Sequence, residues 1–84
     1  MAQNAEKTIE ERIREVLATE FPDSWVAPVS DVEHLGDKLA MDSLDHVELC
    51  IFLEDEFGVL IPDEDWDNVK SISEAAALIK KLKS

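Results

Sequence analysis

Ser43 is the side chain whose type and neighbours best suit it to chemistry. It stands in Asp42-Ser43-Leu44-Asp45-His46-Val47-Glu48-Leu49, at the start of the most strongly patterned helical stretch, so its hydroxyl lies where a helix begins. Serine and aspartate before a helix are also common for backbone reasons alone, as acceptors for the free amides of the first turn. Serine-based hydrolysis needs a histidine base and an orienting carboxylate that converge on the hydroxyl. His46, three residues on, rotates toward the core side and His34 falls in a connection, so no triad is read and no catalytic residue is expected. Cys50 also lies on the core side, where a thiol behaves as a small buried hydrophobe.

A second spacing bears on metal chemistry. Asp63, Asp65, Asp67, Val69, Ser71 and Glu74 fall at positions 1, 3, 5, 7, 9 and 12 of a calcium-loop template. Asn68 replaces the glycine of the sixth position, Pro62 stands where an incoming helix should still be running, and Ser71-Ile72-Ser73 reads as a helix start. An EF-hand-like protein is therefore the alternative, and no dedicated metal site is expected.

The elements that must position these residues are helical. Thr8 and Glu11 have the spacing of a capping box, and Ile9, Ile13, Val16, Leu17 and Phe21 recur at helical intervals until Pro22 forbids continuation. This predicts a helix from Ile9 to Glu20 behind a flexible tail at residues 1–7. From Pro22 to Met41 the chain carries Pro22, Pro28 and Gly36, yet also Trp25, Val26, Val29, Val32, Leu35 and Leu39, so this long connection should pack over the bundle. Ser30 and Glu33 are suited to cap one short turn ending at Gly36. The next helix starts at Asp42 or Ser43, runs to Phe57 and stops at Gly58. Pro62 and Asp63 introduce a short helix through about Asn68. Ser71 and Glu74 open the last, whose apolar face is Ile72, Ala75, Ala76, Ile79 and Leu82, with Lys80, Lys81 and Lys83 complementing the C-terminal dipole. The prediction is an all-α, small four-helix bundle of three main helices and one short one, filling 1–84 as one domain.

At about 100° per residue, His46, Leu49, Cys50, Leu53 and Phe57 gather on one side of the helix from Ser43 to Phe57. Leu44, Val47 and Ile51 land opposite, beside Glu48, Glu54 and Asp55. A helix in a small bundle needs only one apolar face for its core, and an apolar centre with a charged rim is the anatomy of a protein-docking patch. The bland explanation is that the Pro22 to Met41 connection folds over this stripe. Phe52 falls beside Glu48 at the border of the two faces, where it would either seal against Trp66 or project to a partner; projection is expected, as a recognition anchor.

Charge narrows the partners. The 84 residues carry 20 acidic against 8 basic side chains and a net charge of −12, with no Lys or Arg between Lys38 and Lys70. Nucleic acid and anionic membranes are poor partners for such a surface, whereas cationic proteins are favoured. One cysteine excludes an internal disulfide framework, and no segment has the length or composition of a membrane span or a signal peptide. A cytoplasmic monomer is expected.

The ordered set Asp42-Ser43-Leu44, Leu53-Glu54-Asp55-Glu56-Phe57-Gly58 and Ile61-Pro62-Asp63-Glu64 resembles the acyl carrier proteins across roughly the second half of the chain. The resemblance implies that Ser43, flanked by Asp42 and Leu44, bears 4′-phosphopantetheine transferred from coenzyme A by a phosphopantetheinyl transferase. It further implies that the chain holds acyl groups as thioesters for acyl-transferring, condensing or ligase enzymes of fatty acid, lipid, polyketide or related biosynthesis. Such partners approach with basic patches, and the matched positions are Leu44, Val47, Glu48 and Ile51, with Asp42, Asp45, Glu54 and Asp55 supplying charge. Ile61 and Asp63 match positions used beside the prosthetic arm. A glycine commonly stands two residues before the aspartate, where this chain has Ala40. Phe52 takes a place often held by a small residue, and Trp66 is similar to D-alanyl carrier proteins. These departures leave open a general or a dedicated carrier, and a helical adaptor that is never modified stays as a third class.

Overall fold

The first helix begins where its capping box dictates. In the computed structural model, which describes residues 7–25 and 29–83, Thr8 accepts from the Glu11 amide while the Glu11 carboxylate accepts from the Thr8 amide, and α1 spans Ile9–Glu20. Asp42 and Asp45 repeat this reciprocal cap at the head of α3, Ser43–Phe57. Gly58 ends α3 with φ 65°, the left-handed conformation that a side chain resists, and returns its amide to Glu54 O at 2.8 Å. A 310 helix follows at Asp63–Asn68, and Ser71 caps α4, Ile72–Lys83, by accepting from the Glu74 amide.

These helices are all-α and enclose one layer of aliphatic side chains. Ile13 and Leu17 from α1, Leu49 and Leu53 from α3, and Ile72 and Ile79 from α4 are fully buried at its centre. Burial on this scale is the main favourable term available to so short a chain. Leu78 joins the core and Leu82 is only half-buried, so the α4 face is rotated slightly from the expected one. No helix of the described residues is long and apolar enough to cross a membrane.

The connection between α1 and α3 departs from expectation. Ser30 and Glu33 do form a turn, with the Ser30 amide donating to the Glu33 carboxylate, but the short helix α2 is Leu35–Lys38 and begins one turn later. Its cap is His34, whose Nδ1 accepts from the Asp37 amide at 3.3 Å, and Gly36 lies inside it rather than ending it. A neutral imidazole nitrogen serves as an N-cap acceptor in the same way a carboxylate does, a substitution that capping preferences do not flag. Val29, Leu35 and Leu39 pack into the core and Trp25 lies partly buried against it, while Val32 stays 79% exposed. Val26 and Pro28 lie outside the described residues. So does most of the expected tail, of which Lys7 is described and pairs with Glu15.

Phe52 requires a correction. Its ring neither reaches toward a partner nor seals against Trp66; it packs edge-on against Phe21 at the end of α1, with centroids 5.8 Å apart and planes 79° apart. Helical rotation placed it at the edge of the core face, and the Phe21 ring, brought there by α1 packing on α3, supplies the apolar surface that draws it inward. Cys50 is fully buried, and burial, with the Glu54 carboxylate adding, pushes its thiol up to about 11.

Phe52→Ala should therefore lower unfolding free energy by about 2 kcal/mol, less than the loss for a fully buried phenylalanine. In a double-mutant cycle with Phe21→Ala, measured by urea denaturation, the pair should show a coupling of about 0.5–1.5 kcal/mol.

Candidate functional site

The first turn of α3 presents Ser43 to solvent. Asp42 Oδ1 accepts from the Asp45 amide at 2.9 Å, so the cap consumes the third amide of the helix, and the amides of Ser43 and Leu44 precede any carbonyl the helix can offer them. The positive end of the helix dipole is thus open beside the Ser43 hydroxyl, a setting that favours an attached anion.

The chain reaches this point through a strained residue. Ala40 has φ 56°, the only non-glycine among the described residues with positive φ, and the Met41 amide closes the turn on Gly36 O at 3.2 Å. This is the position two residues before Asp42 where a glycine was noted as usual. The left-handed geometry is kept without the residue that adopts it freely.

A cleft of about 270 Å³ lies beside Ser43. Its walls come from three elements: His34, Leu35 and Gly36 of the α2 region, Met41 to Ser43 and His46 of α3, and Asp67, Val69 and Lys70 at the end of the 310 helix. Two backbone bonds hold those walls in place, from the Leu35 amide to Lys70 O at 2.8 Å and from the Ser73 amide to Asp31 O at 2.8 Å. A chain of polar contacts ties the 310 segment to α3: Ile61 N donates to Glu54 Oε2 at 2.7 Å, Trp66 Nε1 donates to Ile61 O at 2.9 Å, and His46 Nε2 donates to Trp66 O at 2.5 Å. Because a carbonyl only accepts, His46 Nε2 must carry its proton and is committed to this bond. Among the described residues no hydrogen bond joins Ser43 Oγ to a histidine, so the cleft holds Ser43 and His46 without making a nucleophile and base of them.

The residues singled out by sequence fall into two groups. Leu44, at 64% exposed, and Ile51, at 48%, lie on the open side of α3 with half-buried Val47 between them, and Asp42, Glu48 and Asp55 are exposed around them, with Asp45 partly covered by its capping role. The described residues of the connection between α1 and α3 leave Leu44 and Ile51 exposed. Asp63 is exposed at the start of the 310 helix. Ile61, Glu54 and Phe52 belong elsewhere. Ile61 is a buried core residue, Glu54 spends its carboxylate on the Ile61 amide, and Phe52 lies on Phe21. The exposed apolar side chain of that loop is instead Leu60, at 83%. Val59, Leu60 and Ile61 are all apolar, so the sequence alone carries no signal for which of them turns outward.

His34 and Lys70 were missed as walls of the cleft, since nothing in local spacing brings residues so distant in sequence together. The calcium-loop spacing does not close into a site. Asp63, Asp65 and Asp67 are distributed along a 310 helix, Val69 is buried, and Ser71 and Glu74 cap α4. Among the described residues no three His, Cys, Asp or Glu side chains are grouped to hold a metal ion.

No protein-family model matches the chain. Two curated relatives from Brachyspira hyodysenteriae, one of them from strain ATCC 49526 / WA1, are each named acyl carrier protein and are 34% identical over 73 residues, covering 87% of this chain and 94% of the relative.

The strain at Ala40 has a measurable consequence. Ala40→Gly should raise unfolding free energy by about 0.5–1 kcal/mol, because relief of left-handed strain exceeds the added entropy of the unfolded chain. Urea denaturation should show a higher midpoint with an unchanged slope.

Proposed function

The chain belongs to the acyl carrier protein family, and we propose that Ser43 Oγ is the attachment point for 4′-phosphopantetheine, from which acyl intermediates are presented to biosynthetic enzymes. The observation that carries this assignment is the placement of Ser43: exposed, first in α3 behind the Asp42 cap, and opening onto a cleft. An attached arm would supply a terminal thiol able to hold an acyl group as a thioester. Asp42 fixes the helix start by its bond to Asp45, and the unpaired amides of Ser43 and Leu44 favour a negative charge at the hydroxyl. The apolar wall of the cleft, Leu35, Met41 and Val69, offers cover for a flexible arm.

Delivery depends on recognition rather than on catalysis by the chain itself. Tethering raises the effective concentration of the cargo at each partner's active site. The docking face would be Leu44, Val47 and Ile51 within a rim of Asp45, Glu48 and Asp55, met by a transferase and by acyl-transferring, condensing or ligase enzymes with basic patches, with Asp63 flanking it. Apolar contacts at the centre of such a face give affinity, and rim charges set encounter and register. Phe52, packed on Phe21, gives no support to a dedicated partner. We place the chain in the cytoplasm as a monomer serving fatty acid, lipid, polyketide or related biosynthesis.

Incubation with coenzyme A and a broad-range phosphopantetheinyl transferase should add one phosphopantetheinyl group to the intact mass, mapped to Ser43, and Ser43→Ala should abolish the addition while preserving the helical circular dichroism. An unmodified wild-type chain, or an addition at Ser24, Ser30 or Ser71, would remove the assignment.

Glu48→Lys should change stability by less than about 0.5 kcal/mol, as expected of an exposed side chain, while slowing transferase turnover several-fold at low salt, with the difference shrinking as salt rises. Equal turnover at low salt would exclude Glu48 from the docking rim.

A further inference from the structure

The cations of this strongly acidic chain are nearly all spoken for. Lys7, Arg12, Arg14, Lys38 and Lys80 each pair with a carboxylate, and Lys83 donates to Phe57 O at 3.3 Å. Lys70 and Lys81 are the two whose ammonium groups have no such partner among the described residues. Lys81 lies in the last turn of α4, where the dipole accounts for it. Lys70 lies elsewhere, on the wall of the cleft that contains Ser43.

Its backbone is held firmly there. Val69 and Ser71 on either side are buried, and Lys70 O accepts from the Leu35 amide at 2.8 Å, so the stem of the side chain starts from a fixed point at the rim. The neighbouring charges in the cleft are the carboxylates of Asp42 and Asp67, with His34 and His46 as the remaining titratable groups. Lys70 is therefore the only fixed positive charge on these walls. An anion attached at Ser43 would be set beside Asp42 and Asp45 in a chain already at −12, and the helix N-terminus alone offsets only part of that repulsion.

We infer that Lys70 is the counter-charge for the phosphodiester formed at Ser43, holding the root of the prosthetic arm against the cleft. This rests on Ser43 carrying the arm. The ammonium group is free to turn toward the phosphate because no carboxylate among the described residues claims it, and its contribution is electrostatic and salt-sensitive. Lysine suits a phosphate as a point charge without demanding a fixed fork geometry.

The test compares unloaded and arm-loaded forms of the wild-type chain, Lys70→Gln and the charge-matched control Lys81→Gln. Intact mass first establishes loading. At low salt, Lys70→Gln should leave the melting temperature of the unloaded form nearly unchanged and lower that of the loaded form by about 2–4 °C, as expected for the loss of one exposed ion pair in a domain of this size. Lys81→Gln should produce no difference specific to the loaded form. The phosphodiester 31P resonance of the loaded wild type should move on raising salt to about 1 M, where screening is nearly complete, and that movement should be absent in Lys70→Gln. A wild-type chain that takes no arm removes the assignment of Ser43 and this inference with it. A loaded chain in which Lys70→Gln and Lys81→Gln behave alike, or in which the wild-type 31P shift ignores salt, overturns the role of Lys70 and leaves the assignment of Ser43 intact.

Discussion

The helix Ser43–Phe57 carries apolar side chains on opposite sides, and a bundle this small can bury only one of them. Leu49, Cys50, Leu53 and Phe57 take the core, where α1 and α4 close over them. Leu44 and Ile51 are left in solvent as a consequence. Desolvating both faces would require another layer of structure, which the described residues do not form. The exposed stripe is thus a standing free-energy cost, of the kind that covering by another surface would relieve.

The segment that follows α3 is tied back to it. The 310 segment is restrained by polar side chains of α3 itself: Glu54 takes the Ile61 amide, His46 takes Trp66 O, and the Trp66 indole closes on Ile61 O. Ile61 meanwhile anchors the loop in the core, and Leu60 beside it turns outward. His46, which makes one of these bonds, also lines the cleft at Ser43, so the tie between α3 and the 310 segment helps define the surroundings of the hydroxyl. Charge works alongside them. An acidic surface with few cations repels itself, and Arg12, which pairs with Glu56 at 3.1 Å and lies 4.4 Å above the Phe57 ring, joins α1 to the end of α3 against that repulsion.

Local rules were most legible where a few adjacent residues decide the outcome. The Thr8–Glu11 and Asp42–Asp45 boxes, the stop at Gly58 and the Ser71–Glu74 start depend on side chains within a turn of the amides they satisfy, and the helix ends follow from them. Local rules failed at α2, because an imidazole acts as the cap, and at Ala40, because an alanine holds a left-handed angle that is ordinarily assigned to glycine. They failed again at Phe52, Glu54 and Ile61. Each sits at a border that helical rotation or motif matching alone leaves undecided, and each was drawn inward by a partner distant in sequence or across a loop.

The sequence by itself determined the helical class, the bounds of the three long helices, the two-faced character of α3, the acidic composition and the position of Ser43 at a helix start. All of these follow from periodicity, capping and composition, which are properties of neighbouring residues. Only the tertiary structure decided that His34, Ser43, His46 and Lys70 share one cleft, and that Phe52 packs against the core on Phe21. Those outcomes depend on bonds such as Leu35 N to Lys70 O, between residues that the chain brings together only after the core has closed.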